Sequence, residues 1–292
     1  MTVHRPADLA SAAAADGEYR AGGTDVEERH RLGISTGPVV DLSGIDELRG
    51  LVVTDDGGVR IGAMTRLTEL ETLGGLMADA VRGIVPGLRA VGTVGGELLQ
   101  RTRCWYFRHP NALCLKRGGD ACPAREGDHL YGVVFDTGPC VWPHPSSLAP
   151  ALVAAGAVAE IYGGPDRLVE ELYGDGSDPS RDHLLGPGEI LVAVLVPSVD
   201  RSSHVRVEPR SASASPLVEV AAAETGGVLR VAAGGVAPAP RRLMAVEEAV
   251  AAGAGAREAA AMASEGVAAL TGTAYKVPLL QAAVEEALET LA

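Results

Sequence analysis

Two runs decide how this chain is read: Tyr19-Arg20-Ala21-Gly22-Gly23-Thr24-Asp25-Val26 and, further along, Thr93-Val94-Gly95-Gly96-Glu97-Leu98-Leu99-Gln100. Each joins a glycine pair to a threonine. Without a Cβ, successive backbone N–H groups can close on a phosphate, and the Thr hydroxyl adds a donor. Two such loops from separate segments suit the two ends of a dinucleotide. Neither run fits G-x-G-x-x-G or the Walker A pattern, which sets aside Rossmann and P-loop readings. A Gly-Gly pair also serves any tight turn, and with 37 glycines the loops alone do not choose.

Outward from the loops, the 292 residues provide enough chain for two or more domains and for a core that needs no disulfides. Aromatic residues are only 3%, so Ala, Val and Leu must fill that core. Lys+Arg 25 against Asp+Glu 38 gives a net charge of −13, which argues against a nucleic-acid or anionic-membrane binder. The longest apolar run, 148–159, is too short to span a bilayer.

A helix is expected at 7–15, strands at 38–42, 51–54 and 59–62, and a helical stretch at 65–73. Beyond a loop-like, cysteine-bearing segment come a helix at 148–155 and a strand at 157–162. The Gly, Pro, Asp and Ser content of 163–182 suggests an inter-domain connection. A strand at 189–196 follows, and then a hairpin of 217–223 and 228–236 around Thr225-Gly226-Gly227. The apolar spacing from Leu279 to Leu291 reads as a terminal helix. The fold class is α+β. Expected domains are 1–50 and 51–170, the latter holding the Cys-rich segment 100–142, and then 171–292.

Cys104, Cys114, Cys122 and Cys140 are spaced C-x9-C-x7-C-x17-C, unlike the close pairs of zinc ribbons. Four soft thiolates suit an iron–sulfur cluster. The stretch 100–117 carries Arg101, Arg103, Arg108, Lys116 and Arg117 and no acidic residue, a local excess that would stabilise an anionic cluster. Zinc, two disulfides and unrelated buried thiols remain open on spacing alone. His109, His129 and His144 are isolated and receive no catalytic role. No hydrolytic triad, H-E-x-x-H or paired-carboxylate motif occurs.

Taken together, the two loops resemble those of the FAD-binding subunits of molybdenum hydroxylases. The resemblance continues through Arg103-Cys104-Trp105-Tyr106-Phe107-Arg108, His144-Pro145-Ser146, Gly188-Glu189-Ile190-Leu191, Gly234-Gly235-Val236-Ala237-Pro238 and Ala274-Tyr275-Lys276-Val277. It is strongest for the medium subunits of bacterial aldehyde oxidoreductases of the xanthine dehydrogenase family, which carry a four-cysteine insertion for a [4Fe-4S] cluster.

The resemblance implies a vanillyl-alcohol-oxidase/PCMH-type FAD-binding domain of two subdomains. A C-terminal domain of CO-dehydrogenase-flavoprotein type, with a three-stranded sheet and helices, would follow. It implies FAD contacts from Arg20, Ala21, Gly22, Gly23, Thr24, Asp25 and Val26, from Thr93, Gly95, Gly96 and Glu97, and from Ser147, Ile190, Leu191 and Arg206. Cys104, Cys114, Cys122 and Cys140 would ligate the cluster.

The implied function is electron transfer in a heterotrimer. A molybdenum-cofactor large subunit would oxidise an aldehyde or N-heterocycle, and a [2Fe-2S] small subunit would pass the electrons here. Nucleic-acid and membrane partners are not expected. The location is expected to be cytoplasmic, or periplasmic if a partner carries an export signal.

The chain departs from the family at Glu97 (usually Asn), Ser147 (usually Asp), Arg206 (usually Lys) and Glu208 (usually Arg). A structural or assembly subunit with a degenerate flavin site, or a zinc-stabilised binding module, are the rival readings.

Overall fold

The computed structural model describes residues 2–209 and 215–291. Near the N-terminus, three short strands form a parallel sheet in the order β1-β3-β2: β1 (Val3–His4), β2 (Glu18–Arg20) and β3 (Val39–Asp41). Parallel neighbours need crossovers. Helices α1 (Leu9–Ala14) and α2 (Val26–Arg31) provide them. The Asp8 carboxylate caps α1 by accepting from Ser11 N at 2.7 Å. Leu9 and Ala12 face inward onto Val40 and Leu42, and that core continues into Ile190 and Val192 of a later strand.

The second sheet is antiparallel, in the order β4-β5-β8-β6-β7. Its strands are β4 (Leu51–Val53), β5 (Val59–Gly62), β6 (Val158–Tyr162), β7 (Arg167–Leu168) and β8 (Ile190–Val196). β8 is apolar throughout because it lies in the middle of the sheet, pairing with β5 on one side and β6 on the other. This changes the expected domain limits. Strand 190–196 was placed after a boundary at 171, yet it completes the second sheet. Segment 163–182 is likewise no linker: it contains β7 and a 3-10 turn, Val169–Leu172, and it buries Val169, Leu172 and Tyr173.

Between β5 and β6 run a 3-10 helix, Leu67–Leu73, then α3 (Gly75–Arg82) and α4 (Pro86–Arg89), and then α5 (Val94–Leu98) and α6 (Trp105–Arg108). Last comes α7 (Leu148–Ala155). All eight residues of α7 are buried, which explains why its sequence has no polar face. It packs on α3 and α5 and also against the third sheet. Pro150 falls in the first turn, where its missing N–H breaks no helical bond.

The third sheet holds β9 (Arg201–Val207), β10 (Val218–Thr225) and β11 (Val228–Gly234), with a two-residue edge, β12 (Arg241–Arg242). It thus has the three expected strands and a fourth short one. Thr225 pairs with Val228 across Gly226 (φ 57°) and Gly227 (φ 78°). Both turn residues need positive φ, so the two glycines are required there. Helices α8 (Met244–Ala251), α9 (Ala256–Ala261) and α10 (Lys276–Leu291) cover the sheet, and Leu280, Ala283, Val284, Ala287 and Leu288 of α10 face its core. Among the described residues, no helix is long and apolar enough to cross a membrane.

Candidate functional site

The loop after β2 turns sharply into α2, and the loop before α5 does the same one layer away. Gly22 sits against the backbone before the second loop: a Cβ there would lie 2.1 Å from the Val91 carbonyl oxygen. Gly23 has φ 77°. A Cβ on Gly96 would come within 3.6 Å of Ala21 Cβ, so the two glycine loops touch. Among the described residues, none of the backbone N–H groups of Gly22, Gly23, Thr24 and Asp25 donates a hydrogen bond. A row of free N–H groups at a glycine turn is an anion-binding arrangement.

These loops open onto a cleft of about 600 Å³, within the range of a cofactor site. Ala21 to Val26 form one wall, Gly95, Gly96 and Gln100 another, and Gly186 to Leu191 a third. Ile190 and Leu191 supply apolar lining. A second cavity of about 220 Å³ shares Thr24 and Gln100 with the first and is lined by Glu97, Arg103, Ser147 and Arg206.

Two expected residues are used elsewhere. Arg20 donates to Glu27 at 2.6 Å and to Asp41 at 3.1 Å and does not line the cleft. Thr93 accepts from Gly96 N at 3.2 Å, capping α5 rather than facing a ligand. Asp25 lines the cleft, but its carboxylate is spent behind the loop: Arg29 Nε (3.0 Å), Arg101 N (3.1 Å) and Arg108 Nη2 (2.5 Å) all donate to it. Burial works to raise its pKa, and Arg108 and Arg29 outweigh that and hold it below the ordinary carboxylate value.

A chain of contacts borders the smaller cavity. Arg206 Nη1 donates to Ser147 Oγ (2.7 Å), and Ser147 N donates to Glu97 Oε1 (3.0 Å). Gln100 Nε2 donates to Glu97 Oε2 (2.9 Å), and Arg103 Nη2 donates to Gln100 Oε1 (2.9 Å). Arg206 also pairs with the buried Glu219 at 3.0 Å, which ties β9 and β10 to the cavity.

The four cysteines converge elsewhere. None forms a disulfide, and all four line one small enclosed cavity with Tyr106, Phe107, Leu115, Lys116 and Pro123. Backbone N–H groups two or three residues on point at each sulfur: Phe107 and Tyr106 at Cys104, Lys116 and Arg117 at Cys114, Ala124 and Arg125 at Cys122, and Trp142 at Cys140. Such donors favour thiolate, and burial opposes them, pushing Cys104 up to about 11. A hydrogen bond from Cys140 to Cys122 holds Cys122 down and pushes Cys140 up. This donor set fits a thiolate-bound cluster in its chemistry. Among the described residues, however, no group of three or more His, Cys, Asp or Glu side chains is arranged to hold a metal ion.

The basic residues of 100–117 also have partners within the protein. Arg101 and Lys116 pair with Asp182, Arg103 and Arg108 with Glu28, and Arg108 with Asp25. Arg117 binds the carbonyls of His109, Pro110 and Ala112. They fasten the cysteine segment to the first loop and to 180–182, while Lys116 also favours the Cys140 thiolate and Arg117 the Cys114 thiolate. Trp142 is buried beside the cysteines, and Trp105 packs edge-on over it at 4.7 Å. His129 bridges Ala124 O and Gly272 N, a structural role. His183, Gly186 and Pro187 line the main cleft beside Gly188 and Glu189 of the Gly188-Glu189-Ile190-Leu191 run, and no motif or spacing in the sequence singles the first three out.

Residues 1–199 match the family described as the FAD binding domain in molybdopterin dehydrogenase. The aldehyde oxidoreductase FAD-binding subunit PaoB of Escherichia coli (strain K12) is 36% identical over 265 residues, spanning 84% of this chain and 83% of that protein. The putative xanthine dehydrogenase FAD-binding subunit XdhB of the same organism is 36% identical over 110 residues, or 33% of this chain and 38% of that protein. In fold, the chain is similar to carbon monoxide dehydrogenase from Hydrogenophaga pseudoflava, with TM-score 0.73, 20% identity and coverage of 99% and 96% of the two chains. Quinoline 2-oxidoreductase from Pseudomonas putida 86 aligns over the same shares, with TM-score 0.72 and 16% identity.

Proposed function

The chain belongs to the family of FAD-binding domains of molybdopterin dehydrogenases, and from that premise we propose that it is an electron-transfer subunit. It would bind FAD and a [4Fe-4S] cluster in a heteromeric molybdenum hydroxylase that oxidises aldehydes or N-heterocycles. FAD, when bound, supplies reversible electron exchange between partner clusters and an external acceptor. The observation that carries the reading is the meeting of two glycine loops on one cleft with free N–H groups between them.

In this reading the N–H groups of Gly22 to Asp25 hold the pyrophosphate. Gly96 closes the other side by keeping the loops in contact, and Gly95 lets α5 pack closely on Ala63. Val26, Ile190 and Leu191 exclude water from the apolar parts of the dinucleotide. Glu97, Ser147 and Arg206 border the adjoining cavity. Cys104, Cys114, Cys122 and Cys140 would hold the cluster, and the N–H groups aimed at their sulfurs support it. Partners in this reading are a molybdenum-cofactor large subunit and a [2Fe-2S] small subunit, in a cytoplasmic complex.

A second reading, an assembly subunit with a degenerate flavin site, is favoured by one observation. Glu97, an acidic residue, borders the smaller cavity beside the loops that would hold a cofactor rich in phosphate. Absorption spectra of the purified, desalted chain, before and after reconstitution with FAD, separate the two. Bound flavin bands support the electron-transfer reading, and their absence after reconstitution rejects it. Iron and sulfide analysis of the same sample tests the cluster, and stoichiometric zinc without iron would replace it.

A further inference from the structure

Resting on the flavin reading, we infer that Glu97 is a proton-uptake group that couples FAD binding to pH. Its position motivates this. Glu97 lies in α5 directly after Gly95 and Gly96, and its carboxyl borders the smaller cavity next to the glycine loops. Both oxygens are occupied by neutral donors, Ser147 N and Gln100 Nε2.

No cation contacts the carboxyl among the described residues. Arg103 is spent on Gln100 and Glu28, and Arg206 on Ser147, Glu208 and Glu219. The charged groups facing Glu97 divide. Arg103 favours its ionised form and Glu219 disfavours it, while the Tyr173 phenol is raised first by its burial and then by Glu97. Burial dominates and pushes the Glu97 carboxyl up to about 7.

A pyrophosphate brought to the adjacent loops adds negative charge in a poorly hydrated site. An ionised Glu97 repels it, whereas a protonated Glu97 presents an O–H donor in place of a charge. The complex therefore binds one more proton than the free protein above the free protein's pKa. By linkage, the FAD dissociation constant is flat below about pH 7 and rises toward tenfold per pH unit above it, until the group titrates in the complex as well.

The test is calorimetric titration of the flavin-free full-length chain with FAD. It is run from pH 6 to 9, with each pH measured in two buffers of different ionisation enthalpy. The expected result is uptake approaching one proton near pH 8 and affinity falling several-fold to tenfold between pH 7.5 and 8.5. E97Q should show no uptake, a pH-flat dissociation constant and tighter binding at pH 8. FAD binding without proton uptake in the wild-type chain overturns the inference, and that count decides even if E97Q does not fold. The same uptake persisting in E97Q also overturns it. A wild-type chain that binds no FAD at any pH overturns the flavin reading itself, a different and recognisable outcome.

Discussion

Arg108 Nη2 lies 2.5 Å from Asp25 Oδ1, joining the cysteine segment to the glycine loop across 83 residues of sequence. Both side chains are about one-tenth exposed, and Arg29 shares the same carboxylate. The loop that would grip a cofactor and the segment that bears the thiols are thus one mechanical unit.

Removing the shared carboxylate should therefore be costly. Asp25→Ala leaves Arg29 and Arg108 buried with one partner fewer, and a loss of about 3–5 kcal/mol is expected in chemical denaturation. Because the Asp25 pKa is held below its ordinary value, its stabilisation is present at neutral pH and lost as pH falls through the folded-state value. The mutant should accordingly show a shallower loss of stability in acid than the wild type. An unchanged acid profile would remove the ion pair from the account.

At the loop contact, steric exclusion is the control. Gly22→Ala places a methyl 2.1 Å from the Val91 carbonyl and should weaken FAD binding at least tenfold, measured by quenching of flavin fluorescence. Gly96→Ala meets only Thr93 Oγ1 at 3.1 Å and Ala21 Cβ at 3.6 Å, so a much smaller effect is expected. Equal effects would mean that contact between the loops is not what shapes the site.

Cys114→Ser tests the thiol cavity. Iron and acid-labile sulfide should drop while flavin is largely retained, since the cysteines and the cleft are separate cavities. Simultaneous loss of flavin would assign the cysteines to holding the fold.

Folding stability should also report Glu97. Its folded-state pKa, about 7, lies above the ordinary glutamate value. Its contribution is therefore full below the unfolded value and is lost as pH rises through about 7. The difference in unfolding free energy between wild type and E97Q should change by about 2–3 kcal/mol between pH 4.5 and 7.5. A constant difference would place the carboxyl in a more hydrated setting.

Lys276 offers a purely structural contrast. Its buried ammonium donates to the carbonyls of Tyr131, Gly132 and Gly235, at 3.1, 2.9 and 2.9 Å. Lys276→Met leaves three acceptors unserved and should cost about 3 kcal/mol or more in chemical denaturation. No change in FAD affinity per folded molecule is expected.

Local chemistry was legible in the sequence wherever it was self-contained. The Gly226-Gly227 hairpin and the apolar α7 follow from backbone freedom and hydrophobic spacing and are found where the sequence puts them, and residues of both glycine loops line one cleft. Pairing across long separations was not legible. The β8 run is equally apolar whether it starts a domain or fills the centre of a sheet, and only its partners β5 and β6 decide. That Arg101, Arg103 and Arg108 pair with Asp182, Glu28 and Asp25 was hidden because those carboxylates stand far away in sequence, whereas Lys116 and Arg117 do act on the thiols. Segment 163–182 has a linker's composition because its Gly, Pro, Asp and Ser form turns around only three core residues, Val169, Leu172 and Tyr173, and one aspartate, Asp182, that pairs with Arg101.

The late arrival of β8 sets the order of assembly on the ribosome. β5 and β6 pair with β8 and not with each other, so a nascent chain that stops before Ile190 has both glycine loops synthesised but no central strand to seat them. The wall formed by Gly186 to Leu191 is missing at the same stage. The main cleft can therefore close only once about two-thirds of the polypeptide has been made.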